Sequence, residues 1–141
     1  MSDLPLTGGC NCGAVRYEVT APLVAASYCH CKRCQRRSGA AASPNAHPAP
    51  GGFRIVAGED MLRMWQPPGG GEKWFCGSCG SSLFGRNLSH PDSIGIRMGT
   101  FDEDPGILPA CVSLLPTPRH GSRSPTMGCP ATTRVATDEL P

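Results

Sequence analysis

Short stretches of strict alternation run along this chain. In AVRYEVT (14–20), Val15, Tyr17 and Val19 fall on one side and Arg16 and Glu18 on the other, the period of a half-buried strand. SIGIRMGTF (93–101) alternates likewise, with Ile94, Ile96 and Met98 on one face. FRIVAG (53–58) and MLRMW (61–65) bracket GED and predict two strands joined by a turn. KWFCGSCGSSLFG (73–85) enters as a strand, turns at the Cys-Gly pairs and leaves as another strand. KRCQRRSG (32–39) has room for one or two helical turns stopped by Gly39, and QPPGGGEK (66–73) is a loop. Neither a βαβ unit nor a long amphipathic helix emerges, so the pattern predicts a mainly β chain of short antiparallel strands. Two stretches fit badly. AAASPNAHPAPGG (40–52) stands where a strand is expected, but its prolines cannot donate to a ladder. From Cys111 onward there is no periodicity and few large apolar residues, the pattern of a disordered tail. The predicted division is therefore a domain over 1–110 and an irregular tail over 111–141.

Composition sharpens this picture. A chain of 141 residues suits one domain with a modest core. With 13 basic and 11 acidic residues the charge is nearly balanced, and aromatics are 6%, which argues against a nucleic-acid binder. No apolar run is long enough to span a membrane. The start, MSDLPLTGGCNCG, lacks a basic segment followed by an apolar one, so a cytoplasmic location is expected, where thiols stay reduced. In that setting nine cysteines are informative, and their odd number weighs against a disulfide framework. The 18 glycines and 15 prolines favour turns over long helices.

Seven of the cysteines are clustered and divide as four plus three. Cys76 and Cys79, in FCGSCGS, form a zinc knuckle, with Gly77 and Gly80 allowing the tight turn. Cys10 and Cys12, in GCNCG, supply two more thiolates: in extended backbone, residues i and i+2 project on one side, so CxC acts as a clamp. Together they make a closed, structural Cys₄ zinc site. Cys29, Cys31 and Cys34 are left as a second zinc site with three protein ligands. Three ligands with an open fourth position are the signature of catalytic zinc. His30 lies between two ligands of a CxC clamp and should point away, while His47, His90 and His120 lack ligand spacing. An open, thiolate-rich zinc is a poor source of hydroxide, but it can hold an incoming thiol as a thiolate nucleophile. The neighbouring Lys32, Arg33, Arg36 and Arg37 would offset the site's charge and offer contacts to carboxylates of an acidic thiol.

GGCNCGAVRYEV, CHCKRCQRRSGA and WFCGSCGSSLF, with GEDMLRMW and MGTFDEDPGI between and after them, resemble the glutathione-dependent formaldehyde-activating enzyme family, which also includes centromere protein V. The resemblance covers about residues 7–110, with three cysteine motifs in matching order and spacing. It implies a small two-sheet Mss4-like (β-tent) fold, a structural zinc on Cys10, Cys12, Cys76 and Cys79, and a catalytic zinc on Cys29, Cys31 and Cys34. It further implies a carbon–sulfur lyase whose co-substrates are glutathione or a similar thiol and formaldehyde or a related aldehyde. A zinc-stabilised protein- or nucleic-acid-binding module is the second class, and a homodimer stays open.

Family members usually continue past the DPGI segment with an apolar strand and a stretch resembling A-P-W-E-P-I-x-D-D-G-L-P, from which this chain departs near Cys111. Residues 118–130 (PRHGSRSPTMGCP) can be back-translated so that a shifted frame reads A-P-W-E-P-I-A-D-D-G-L-P. One reading of the tail is therefore a reading-frame slip, which would make Cys111 and Cys129 accidental; the other is a divergent disordered tail.

Overall fold

The computed structural model describes residues 3–112; residues 113–141, with Cys129, His120 and the stretch 118–130 on which the frame slip was read, lie outside them. Ten strands and one short helix follow one another: β1 (Leu6–Gly9), β2 (Arg16–Val19), β3 (Leu23–Cys29), α1 (Lys32–Ser38), β4 (Ser43–Pro48), β5 (Phe53–Ala57), β6 (Leu62–Trp65), β7 (Glu72–Cys76), β8 (Ser82–Arg86), β9 (Ile94–Arg97) and β10 (Ala110–Val112). They form two sheets, one of three strands in the order β1-β2-β5 and one of seven in the order β10-β3-β4-β9-β8-β7-β6. Every pairing is antiparallel except that of β10 with β3. The mainly β class expected from the pattern, and the two-sheet fold implied by the resemblance, are what the chain forms. No helix among the described residues is long and apolar enough to cross a membrane.

Alternation decides which side of each strand is buried. Val15, Tyr17 and Val19 are buried from the smaller sheet, and Phe84, Ile94 and Ile96 from the larger. The rings interlock, with centroids 5.3 Å apart for Tyr17–Phe53 and 4.8 Å for Phe53–Phe84. Leu83 and Phe84 are adjacent yet both buried, because the β7–β8 register jumps from Trp74↔Phe84 to Phe75↔Ser82. That irregularity leaves Leu83 as an extra residue and turns it inward with its neighbour.

The structure adds to three expectations. FRIVAG and MLRMW form two strands joined by a turn, as expected, and that turn, a 3₁₀ turn at Glu59–Met61, carries the chain from one sheet to the other. Residues 43–48, doubted for their prolines, form β4 in the interior of the larger sheet. Its pairing with β9 involves only Asn45 and Ala46, so Pro44 and Pro48 flank the doubly paired segment and neither N–H is missed there. Finally, β10 runs through the 110/111 boundary: Cys111 pairs with Tyr28 and Val112 with Cys29.

The segment after β9 is clipped to the smaller sheet. Tyr17 Oη and Thr100 Oγ1 lie 2.9 Å apart, and Thr100 Oγ1 donates to the Arg97 carbonyl at 2.7 Å. Asp102 accepts from the Thr7 hydroxyl and from the Arg16 guanidinium. This clip fixes the backbone that carries Arg97.

Candidate metal and thiol site

Cys76 is the last residue of β7, and the turn that follows is closed by Gly80, whose φ of 77° is left-handed and whose N–H donates to the Cys76 carbonyl at 2.9 Å. Gly77 serves differently: a side chain there would meet Arg63 Cγ at 2.9 Å. Cys10 and Cys12 face this turn. They come together through a turn of their own, with the Gly13 N–H on the Cys10 carbonyl at 3.1 Å, rather than through the extended clamp expected. Sulfur separations are 3.5 Å for Cys10–Cys12 and 3.8 Å for Cys12–Cys76, and all four sulfurs lie within 4.8 Å of one another. A tetrahedral thiolate site needs sulfurs about 3.8 Å apart, so the set fits a metal ion. Backbone donors support the sulfurs: Val15 N–H on Cys10 at 3.2 Å and Ser78 N–H on Cys76 at 3.4 Å. The Ser81 hydroxyl, 3.2 Å from Cys79 Sγ, and its backbone hold the Cys79 thiol down at about 5.

The second cluster is built by a strand end and a helix start. Cys29 closes β3, Cys31 is the N-cap of α1 with extended backbone, and Cys34 lies in the first turn, donating its N–H to Cys31 Sγ at 3.4 Å. Gly39 ends the helix in the left-handed conformation, as expected from its sequence. Cys29 and Cys31 sulfurs are 3.4 Å apart, and the three sulfurs lie within 4.8 Å of one another. Contact with Cys34, and the field of Arg97, hold the Cys29 thiol down at about 5, while Cys34 is pushed up by the same contact and by burial. Among the described residues no histidine joins either group; His30 lies beside Tyr28 instead, ring centroids 6.2 Å apart.

This cluster opens on a cleft of about 100 Å³ on the face of the larger sheet away from the core. The same alternation that buries Ile94 and Ile96 brings Gly95 and Arg97 to the cleft side of β9. Register places Lys73 of β7 opposite Gly85 of β8, and Gly85 opposite Gly95 of β9. His47 of β4 lies beside Gly95, its Cε1 3.2 Å from where a Cβ would stand. The result is a trough with a two-glycine floor, Lys73 at one end and His47 at the other. Arg97 is anchored by Asn45 Oδ1 and, at 3.4 Å, by Ser82 Oγ. Burial holds both His47 and Lys73 below their ordinary values, with Arg97 pushing the same way.

The basic residues of α1 lie elsewhere. Lys32, Arg33 and Arg36 are exposed, and Arg37 stacks on Phe75 with its guanidinium carbon 4.9 Å from the ring centroid. None of the four lines the cleft. Arg97 and Lys73 escaped the sequence analysis, which weighed His47 only as a metal ligand, although the alternation of residues 93–101 already put Arg97 on the side opposite Ile96.

The profile of the family described as glutathione-dependent formaldehyde-activating enzyme matches residues 5–113. A crystal structure of a Rhodobacter sphaeroides protein is similar at a TM-score of 0.58 and 29% identity, over 73% of this chain and 91% of that one. The match spans both sheets and all seven clustered cysteines, and the chain belongs to the glutathione-dependent formaldehyde-activating enzyme family.

Proposed function

We propose that this protein is a carbon–sulfur lyase-type enzyme that adds a small thiol, glutathione or a close analogue, reversibly to formaldehyde or a related aldehyde. The observation that carries this is the three-cysteine cluster, two of whose members, Cys29 and Cys34, line a cleft together with Lys73, Arg86 and Arg97, apart from a second cluster of four cysteines. Cys10, Cys12, Cys76 and Cys79 would hold a structural zinc, and Cys29, Cys31 and Cys34 a second zinc with one position for substrate. Zinc in the second set supplies a soft Lewis acid that favours the thiolate form of a thiol beside it.

The chain's own residues supply the rest. Cys29, Cys31 and Cys34 fix the place of the incoming sulfur. Arg97, anchored by Asn45 and Ser82, offsets the negative charge of three thiolates. In the addition, the thiol sulfur bonds to the carbonyl carbon, the C=O π pair moves to oxygen, and the proton lost by the thiol ends on that oxygen. The product is a hydroxymethyl thioether, and reversal breaks the carbon–sulfur bond. Seven free thiols among the described residues suit a reducing compartment such as the cytoplasm.

The test is exchange spectroscopy of glutathione, formaldehyde and their adduct, with and without zinc-loaded protein. Wild type is expected to accelerate the exchange, and Cys31→Ser to abolish the acceleration while staying folded. An unchanged exchange rate with glutathione and with every other low-molecular-weight thiol tried would contradict the proposal.

A further inference from the structure

The cleft carries three cations and a histidine, and no aspartate or glutamate lines it. The cations are not equivalent. Arg97 is tied to Asn45 and Ser82, and Arg86 pairs with Glu72 at 3.8 Å. Lys73 alone has no hydrogen bond or ion pair among the described residues to hold its ammonium. Yet that ammonium is far from free in solution: its stem lies over Gly85, with Nζ 3.6 Å and Cδ 3.8 Å from where a Cβ would stand. A half-buried ammonium without a counter-ion costs free energy, and burial already works against its charge. The three thiols lie near enough for their charge to favour the ammonium, but none of them bonds it. Lys73, Cys29 and Cys34 all line this one cleft, whose floor includes Gly85 and Gly95. A one-carbon aldehyde carries no anion for Lys73. A thiol whose carboxylate lies several bonds from its sulfur can place the sulfur at the cysteines and the carboxylate at Lys73.

We propose that Lys73 is the specificity-determining residue of this site, binding a carboxylate of the thiol substrate across the Gly85–Gly95 floor. This rests on the thiol-addition reading above. It moves the anion contact from the helix, where the sequence suggested it, to strand β7. Lys73 then selects among thiols without touching the reacting atoms. A charge-assisted pair of this kind changes affinity by roughly tenfold to a hundredfold.

The experiment is calorimetric titration of the zinc-loaded full-length protein with glutathione and with its diethyl ester, in wild type, Lys73→Met and Lys73→Arg, with zinc content measured on each. Wild type is expected to bind glutathione roughly tenfold to a hundredfold more tightly than the ester. In Lys73→Met that preference should fall to near one through loss of glutathione affinity alone, with zinc content unchanged, and Lys73→Arg should restore most of it. A wild type that binds both thiols equally would overturn the role of Lys73 and leave the thiol site standing. So would a Lys73→Met protein that loses both thiols equally or loses zinc, since the lysine would then serve the cysteines. If neither thiol binds wild type, the thiol-site reading falls and Lys73's role with it.

Discussion

A methyl group added at position 95 would stand 3.2 Å from Cε1 of His47, in the floor of the trough. Gly95→Ala is therefore expected to weaken thiol binding several-fold while leaving zinc content unchanged, a pairing that titration and metal analysis together would reveal. The same neighbourhood gives a pH dependence. Burial holds His47 below its ordinary value, so between the folded and unfolded pKa the unfolded chain binds more protons. Stability should then decline as pH falls below about 6.5, the unfolded value, until the folded value is reached. His47→Gln should flatten that part of the profile; denaturant titration at pH 7.5 and at pH 5 measures it, and an identical decline in both proteins would contradict it. In the core, Ile96 is fully buried, and Ile96→Ala should cost about 2–5 kcal/mol by the same method.

Among the elements, the clip between the smaller sheet and the segment after β9 bears most directly on the site, because it fixes the strand that carries Arg97. Thr100→Val would leave the buried Tyr17 hydroxyl without its partner, at a cost of about 1–3 kcal/mol in denaturant titration. Removing the exposed Arg16–Asp102 pair should cost less than about 1 kcal/mol. Legibility in the sequence follows the same division between local and long-range. The strands within 14–20 and 93–101 were readable because their burial is set by their own period of two, although the second ends at Arg97 and Met98–Thr100 turns into a 3₁₀ helix. The four-plus-three division of the cysteines was readable because each motif is local, even though Cys10 and Cys12 meet through a turn rather than an extended clamp. β4 was not readable, since its prolines are tolerated only because its ladder with β9 stops at Asn45 and Ala46. The trough was out of reach for a stronger reason. Lys73, Gly85, Gly95 and His47 come from four strands, and only the register of the assembled sheet makes them neighbours.

For the whole molecule, the proposed function divides the labour between the two cysteine groups. The set at Cys10, Cys12, Cys76 and Cys79 ties the N-terminal segment, joining β1 to β2, to the β7–β8 turn, and so links one sheet to the other. Its metal should contribute folding energy outright, so chelation is expected to unfold the protein. The set at Cys29, Cys31 and Cys34 links only a strand end to the helix that follows it, so its loss should spare the fold. That asymmetry is the central claim, and metal stoichiometry on wild type and Cys31→Ser tests it most directly. The account expects about two zinc ions per wild-type chain, falling toward one in Cys31→Ser with the circular-dichroism spectrum and unfolding midpoint nearly unchanged. One zinc in the wild type, or loss of both metals and of the fold in Cys31→Ser, would contradict it.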